Sequence, residues 1–267
     1  MARRWRWSNL YLAAVFVILY APIAYLIVYS FNSGGTMTGF DGFTLEWYGE
    51  VLQDTRLLII VLNTVIIALL SALISTILGT IGALAIYEVK RRSRQNALLA
   101  LNNVLIVSPD VIIGASFLIM FTIIGIQLGF LSVLLSHIAF SVPIVVLMVL
   151  PKLLELKSSL IDAALDLGAS RRDVLTRVIL PLIQPGIYAG FFMALTYSLD
   201  DFAVTFFVTG NGFSTLSVEI YSMARTGITL TINAISTLVF AVTVLVVVGY
   251  YFVTNRAKAA AEAGVRV

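Results

Sequence analysis

The sequence contains no cysteine and a single histidine, His137. Without thiols there is no disulfide, no thiolate metal centre and no cysteine nucleophile, and one imidazole does not build a histidine zinc site. Charge is scarce as well: Asp, Glu, Lys and Arg make up 12% of the 267 residues, about half the share usual in a soluble domain. No Gly-Lys dipeptide occurs, so the phosphate-binding loop of the G-x-x-x-x-G-K-[ST] kind is missing and ATP has to be bound by another chain. No nucleophile, base and orienting group are placed together, so the chain is not expected to be an enzyme. What is plentiful is apolar: 60% of residues are hydrophobic and the mean hydropathy is +1.01. Surface of that kind has to face lipid, which excludes a soluble protein.

Charge-free runs mark the spans, since a helix crossing about 30 Å of hydrocarbon needs roughly 20 apolar residues. They predict an all-α membrane protein forming one domain over 1–267, with six spans near 8–30, 58–87, 97–124, 130–151, 186–208 and 232–254. Between Arg94 and Lys152 the only formal charge is Asp110, and Gly125-Ile126-Gln127-Leu128-Gly129 is the expected turn within that stretch. Fifteen of the 17 Lys and Arg residues lie before span one, after spans two and four, or after span six; only Arg56 and Arg225 lie opposite. Short loops rich in these residues stay in the cytoplasm, so both termini are expected there. The first run is about 20 residues long without a following small-x-small site, so it reads as an anchor rather than a signal peptide. The net charge of +3 is thus distributed by topology, and no nucleic-acid partner is expected.

Outside the spans, residues 31–56 form an acidic outer segment, glycine-rich at first. Thr44 is placed to cap a short helix carrying Trp47, Val51 and Leu52, which suits the membrane interface or a docking surface. The 152–185 segment mixes charge with helical apolar spacing, unlike a plain connector. Ser158 or Ser159 is placed to cap a helix bearing Leu160, Ile161, Ala164 and Leu165, which Gly168 can end in the left-handed conformation. Ser170 with Asp173 has capping-box spacing for a second helix that meets Pro181.

Asp162-Ala163-Ala164, Gly168 and Val178-x-Leu180-Pro181, at these spacings, resemble the cytoplasmic signature loop of ATP-binding-cassette (ABC) importer permeases. Asp162 stands where glutamate is common there and Val178 where isoleucine is common; charge and shape are kept. The stretches Tyr29-Ser30-Phe31-Asn32-Ser33, Ser108-Pro109-Asp110, Ser136-His137-Ile138, Ser198-Leu199-Asp200-Asp201 and Ile220-Tyr221-Ser222-Met223 further resemble the permease subunits of spermidine/putrescine importers. The resemblance implies a type I importer permease fold in a bacterial cytoplasmic (inner) membrane. It also implies a related six-span subunit forming a heterodimer, an ATPase dimer that binds ATP and Mg, and an extracytoplasmic polyamine-binding protein. Asp162, Ala163, Ala164, Gly168, Leu180 and Pro181 would then couple to the ATPase. This chain would hold no cofactor or metal of its own, and membrane lipids would surround it.

Ionisable residues inside a span are costly and read first as functional. Asp110 lies about 20 Å along the third expected span, and Asp200 and Asp201 about 21 to 23 Å along the fifth. Three acids at one depth can compensate a polyamine's ammonium groups. Asp110 follows Pro109, so it serves equally as the cap of a restarted helix. Tyr197, Asp201, Thr205 and Thr209 recur every four residues as a polar stripe, which favours Asp201 for the path, with Asp200 turned toward a partner. Phe117, Phe121, Tyr197, Phe202 and Phe206 can cage an ammonium by cation–π contact or serve as simple packing. His137 reads as an interhelical hydrogen-bonding residue. Two other readings stand beside a polyamine importer: a permease of the same class for an opine, an iron complex or an organophosphonate, and a self-contained secondary transporter or channel.

Overall fold

The computed structural model describes residues 7–210, 212–226 and 230–245. These residues are almost entirely helical, with two isolated antiparallel bridges, Asn32 to Phe43 and Gly210 to Phe213. In order the helices are α1 (Trp7–Tyr29), α2 (Glu46–Gln53), α3 (Thr55–Glu88), α4 (Arg92–Val107), α5 (Asp110–Ile124) and α6 (Phe130–Leu154). There follow α7 (Ser158–Asp166), α8 (Arg171–Asp173), a π-helical turn over Val174–Ile179, α9 (Leu180–Asp200), α10 (Ala203–Val208), α11 (Leu216–Thr226) and α12 (Leu230–Leu245). Four of these stretches are long and apolar enough to cross a membrane: Asn9–Tyr29, Thr55–Glu88, Phe130–Leu154 and Arg171–Asp200. The sixth expected span, 232–254, is described only as far as Leu245, and the remainder lies outside the described residues.

The chain divides into two compact units, Met1–Leu58 with Ile220–Val267, and Ile59–Glu219. In the first, the outer segment is organised by Asn32. Its buried side chain donates to the carbonyls of Thr36 and Gly39 and accepts from the backbone of Gly34 and Asp41. Trp47 Nε1 donates to the Asn32 carbonyl at 2.8 Å, which ties α2 back to the loop. Thr44 Oγ1 accepts from the Glu46 amide at 3.1 Å, but the cap position falls on Leu45, so Thr44 closes a turn just before α2 rather than capping it as expected.

The second unit is built on α6, packed along α3 and α9. One apolar core joins Ala83 and Ile86 of α3, Val145, Val149 and Leu153 of α6, and Ile183 and Ala194 of α9. Another joins Ile67 of α3, Ile113 and Phe121 of α5, Val133 and Phe140 of α6, and Val204 and Val208 of α10. Lipid offers apolar side chains no gain from burial between helices, so close contact falls to small residues. A Cβ on Gly79 would stand 2.6 Å from Val145 Cβ, and one on Gly190 3.1 Å from Val145 Cγ1. Leu62, Leu69, Leu73 and Ile77 of α3 stay exposed, as a lipid-facing stripe should.

Three sequence expectations need correction. The expected 97–124 span is two helices, α4 and α5, bent by 98° at Ser108-Pro109. Proline lacks an amide hydrogen and disfavours helix in the residue before it, so the ladder stops there. The expected 186–208 span also breaks: α9 ends at Asp200, Asp201 is extended, and α10 starts afresh. Conversely, the 152–185 segment does not stop before the membrane, since helix runs on from Arg171 through Pro181 and Pro185 to Asp200. The π-helical turn immediately before Leu180 widens the ladder where the Pro181 amide donor is missing.

Candidate functional site

At the break between α9 and α10 the chain must satisfy amides that have left one helix and not yet entered the next. Asp201 does this. Its Oδ2 accepts from the Thr205 amide at 2.8 Å and the Thr205 hydroxyl at 2.7 Å, and Oδ1 accepts from the Val204 amide at 3.3 Å. The carboxylate therefore caps α10, which offsets the orphan amides of its first turn. Its side chain is 6% exposed, and His137 Nε2 lies 3.6 Å from Oδ2.

His137, fully buried on α6, continues the network: Nε2 meets Thr205 Oγ1 at 2.8 Å and Nδ1 meets Ser198 Oγ at 2.6 Å. Ser71 of α3 donates to Ser198 Oγ at 3.0 Å. Hydrogen counting orients this chain. The one hydroxyl hydrogen of Thr205 goes to Asp201, an acceptor, so His137 Nε2 must supply the hydrogen in its contact with Thr205. Nδ1 meets the Ser198 hydroxyl, whose oxygen accepts from Ser71. Four helices are joined by one connected series, Ser71 to Ser198 to His137 to Thr205 to Asp201.

The reading of His137 as an interhelical hydrogen-bonding residue agrees with this placement. The expected stripe of Tyr197, Asp201, Thr205 and Thr209 on one continuous helix does not form, because the helix breaks at Asp201. Asp201 is buried and internally bonded, whereas Asp200 is exposed beside it. Ser71 and Ser198 were not expected members. Ser71 shows in the sequence only as a hydroxyl inside an apolar run, and Ser198 as the first residue of the Ser198-Leu199-Asp200-Asp201 stretch.

Asp110 opens α5 as its first residue, with Pro109 at the cap position. Its Oδ1 accepts from the Tyr197 hydroxyl at 3.2 Å, so the α4–α5 bend and the end of α9 meet. Both residues are exposed. The aromatics pair separately rather than forming a single cage: Phe117 stacks on Phe121, Phe202 lies against Phe206, and Tyr197 meets Phe140 edge-on. Among the described residues no group of His, Asp or Glu is placed to hold a metal ion.

The second candidate site is α7. It follows Lys157 rather than being capped by Ser158 or Ser159, and neither hydroxyl caps it. None of its residues is buried; Asp162 and Ala163 are exposed, Ala164 half-exposed, and Leu160 and Leu165 lie open. Gly168 ends it with φ +84°, and the Ala169 amide reaches back to the Ala164 carbonyl at 3.0 Å. Ser170 Oγ then accepts from the Asp173 amide and donates to the Asp173 carboxylate, the expected reciprocal cap. Leu180 packs on the core while Pro181 is exposed. The result is an uncovered amphipathic helix held at a set angle to the α8–α9 helix.

Residues 75–266 match the family described as binding-protein-dependent transport system inner membrane component. The chain is 36% identical over 238 residues to the spermidine/putrescine transport system permease protein PotC of Escherichia coli strain K12, covering 89% of this chain and 90% of that protein. To the putrescine transport system permease protein PotI of the same strain it is 34% identical over 259 residues, covering 94% and 92%. Among solved structures it resembles a chain of a bacterial ABC transporter involved in the import of alginate, with TM-score 0.72, 19% identity and 94% of each chain covered. It also resembles a chain of an inward-facing methionine ABC transporter, with TM-score 0.63, 19% identity, and 76% and 95% covered. The fold is that of ABC importer permeases.

Proposed function

From the premise that the chain belongs to the family of binding-protein-dependent transport system inner membrane components, we propose that it is one of two permease subunits of an ATP-driven polyamine importer. In this reading it works in a bacterial cytoplasmic membrane, beside a related six-span subunit, an ATPase dimer and an extracytoplasmic binding protein. It conducts solute rather than performing chemistry. ATP and Mg sit on the ATPase, and α7 transmits their cycle to the spans through Ala163, Ala164 and the fixed turn at Gly168.

The observation that carries the choice of substrate is the meeting of Asp110 with Tyr197, with Asp200 one turn further along α9. Two exposed carboxylates and a phenol oxygen at one level give an ammonium group replacement solvation inside the bilayer. Asp110 and Asp200 make the direct contact. Asp201, bonded inward, contributes its field from behind and keeps the α9–α10 break in place, which reverses the order of the two neighbours expected from the sequence.

Transport into vesicles containing the assembled complex tests this, with binding protein loaded with putrescine or spermidine. Asp110→Asn and Asp200→Asn should each lower uptake tenfold or more at low polyamine concentration. A charge pair about 4 Å apart at an effective dielectric constant near 20 is worth about 4 kcal/mol. Parental uptake by the Asp110→Asn, Asp200→Asn double variant would overturn the cationic path. ATPase activity driven by a different loaded solute would replace the polyamine.

A further inference from the structure

The corner between α3 and α4 carries a concentration of positive charge, four cations beside the one acid Glu88. Lys90, Arg91, Arg92 and Arg94 follow one another at the end of a 34-residue apolar helix, and none of the four forms an ion pair with a described acid. α4 begins there with no side-chain cap and no acid in its first turn. The start of α4 is locally unfavourable for cations, whereas Lys90 and Arg91 also follow the C-terminal end of α3, which favours them. The cluster as a whole is available to an anion from outside.

The corner is also a cleft. A volume of about 540 Å³ is lined by Val89, Lys90, Arg91, Arg94, Leu98 and Leu101. Gln95 Nε2 donates to the Ile86 carbonyl at 3.2 Å, which holds the two helices in this arrangement. The cleft is therefore lined by two kinds of residue, the cations Lys90, Arg91 and Arg94 and an apolar wall. Along that wall Leu98 is 41% and Leu101 70% exposed. A free phosphate would satisfy the cations and leave the wall bare, and an apolar peptide the reverse. An amphiphile with a phosphodiester head and acyl tails satisfies both, at the depth where an apolar helix ends.

We infer that this cleft binds an anionic glycerophospholipid, with the phosphodiester against Lys90, Arg91 and Arg94 and an acyl chain along Leu98 and Leu101. The inference rests on the chain being a membrane permease and is independent of the solute carried.

Native mass spectrometry of the intact importer complex, titrated with phosphatidylglycerol, phosphatidylcholine of the same chains or inorganic phosphate, provides the test. Lys90→Gln/Arg91→Gln/Arg94→Gln should weaken phosphatidylglycerol binding about fivefold for each charge removed, on the order of a hundredfold in all, and leave phosphatidylcholine unchanged. Leu98→Gln/Leu101→Gln keeps every charge and alters only exposed side chains, so it remains informative if the triple variant is poorly produced. It should weaken the lipid as well. Parental phosphatidylglycerol affinity in either variant overturns the proposal. Displacement of the lipid by millimolar phosphate would make the site one for a free anion. Loss of the ATPase from the triple variant at parental lipid affinity would make the corner a subunit contact, and either result refutes a lipid site.

Discussion

Replacing His137 with leucine removes two hydrogen bonds at once from a place where water does not reach. Thr205 Oγ1 loses the donor at 2.8 Å, and the Ser198 hydroxyl loses its partner at 2.6 Å. A buried polar group left unpaired costs about 1–3 kcal/mol, while interhelical hydrogen bonds inside membranes average only about 0.6 kcal/mol. The two magnitudes differ because inside a membrane the unfolded reference state also finds partners, and a helical hydroxyl can in addition turn to the carbonyl one turn back. Ser198 has that option. Thr205 keeps its bond to Asp201, so the expected total for His137→Leu is about 1–3 kcal/mol. Thr205→Val deletes the central hydroxyl and leaves His137 Nε2 with only Asp201 Oδ2, 3.6 Å away, at a cost of similar size. Because both changes cut the same series, the double variant should lose little more than the worse single one, a coupling between about 0.5 and 3 kcal/mol. Chemical unfolding of the purified protein in mixed micelles measures the cycle, with midpoints compared at constant slope. Losses that add to within about 0.5 kcal/mol would show that the series is a set of independent contacts and refute the hydrogen-counting argument.

Gly168→Val forces a β-branched residue to φ +84°, at a cost of about 1–2 kcal/mol or a shift of α7. The expected result is an inserted permease whose ATPase is released or hydrolyses without uptake, and full transport would count against α7 as the coupling element. Gly79→Ala puts a methyl group 2.6 Å from Val145 Cβ and 3.0 Å from the Val142 carbonyl, and overpacking of that kind costs about 1–3 kcal/mol; an unchanged unfolding midpoint would disprove the tight α3–α6 contact. Tyr197→Phe removes the hydroxyl that reaches Asp110 and should raise the polyamine concentration for half-maximal uptake severalfold while protein levels hold. An unchanged concentration dependence would remove Tyr197 from the path.

Hydropathy and local turn chemistry were enough to establish the membrane class, most helix boundaries, the turn at Gly125 to Gly129, the left-handed stop at Gly168 and the Ser170 cap. Each depends on residues within a few positions of one another, and lipid leaves a span no option but helix. The loop motif led to the transporter family for the same reason, since a short helix and its stop are local in sequence. Where several short-range rules competed, the sequence was not decisive. Pro109 was visible, but a 98° bend and an intact helix both begin from the same residues. Pro181 was visible as well, but the sequence did not show that helix runs through it behind a π-helical turn. The break at Asp201 left no trace in the periodicity, because four-residue spacing continues through it, and the carboxylate acquired its role only from where Thr205 and His137 came to lie. Ser71 and Ser198 stand 127 positions apart in the chain and 3.0 Å apart in space. Apolar patterning specifies which residues enter the membrane, but contacts of that separation are specified by helix packing, and in this protein packing decided that Asp201 turns inward while Asp110 and Asp200 stay exposed.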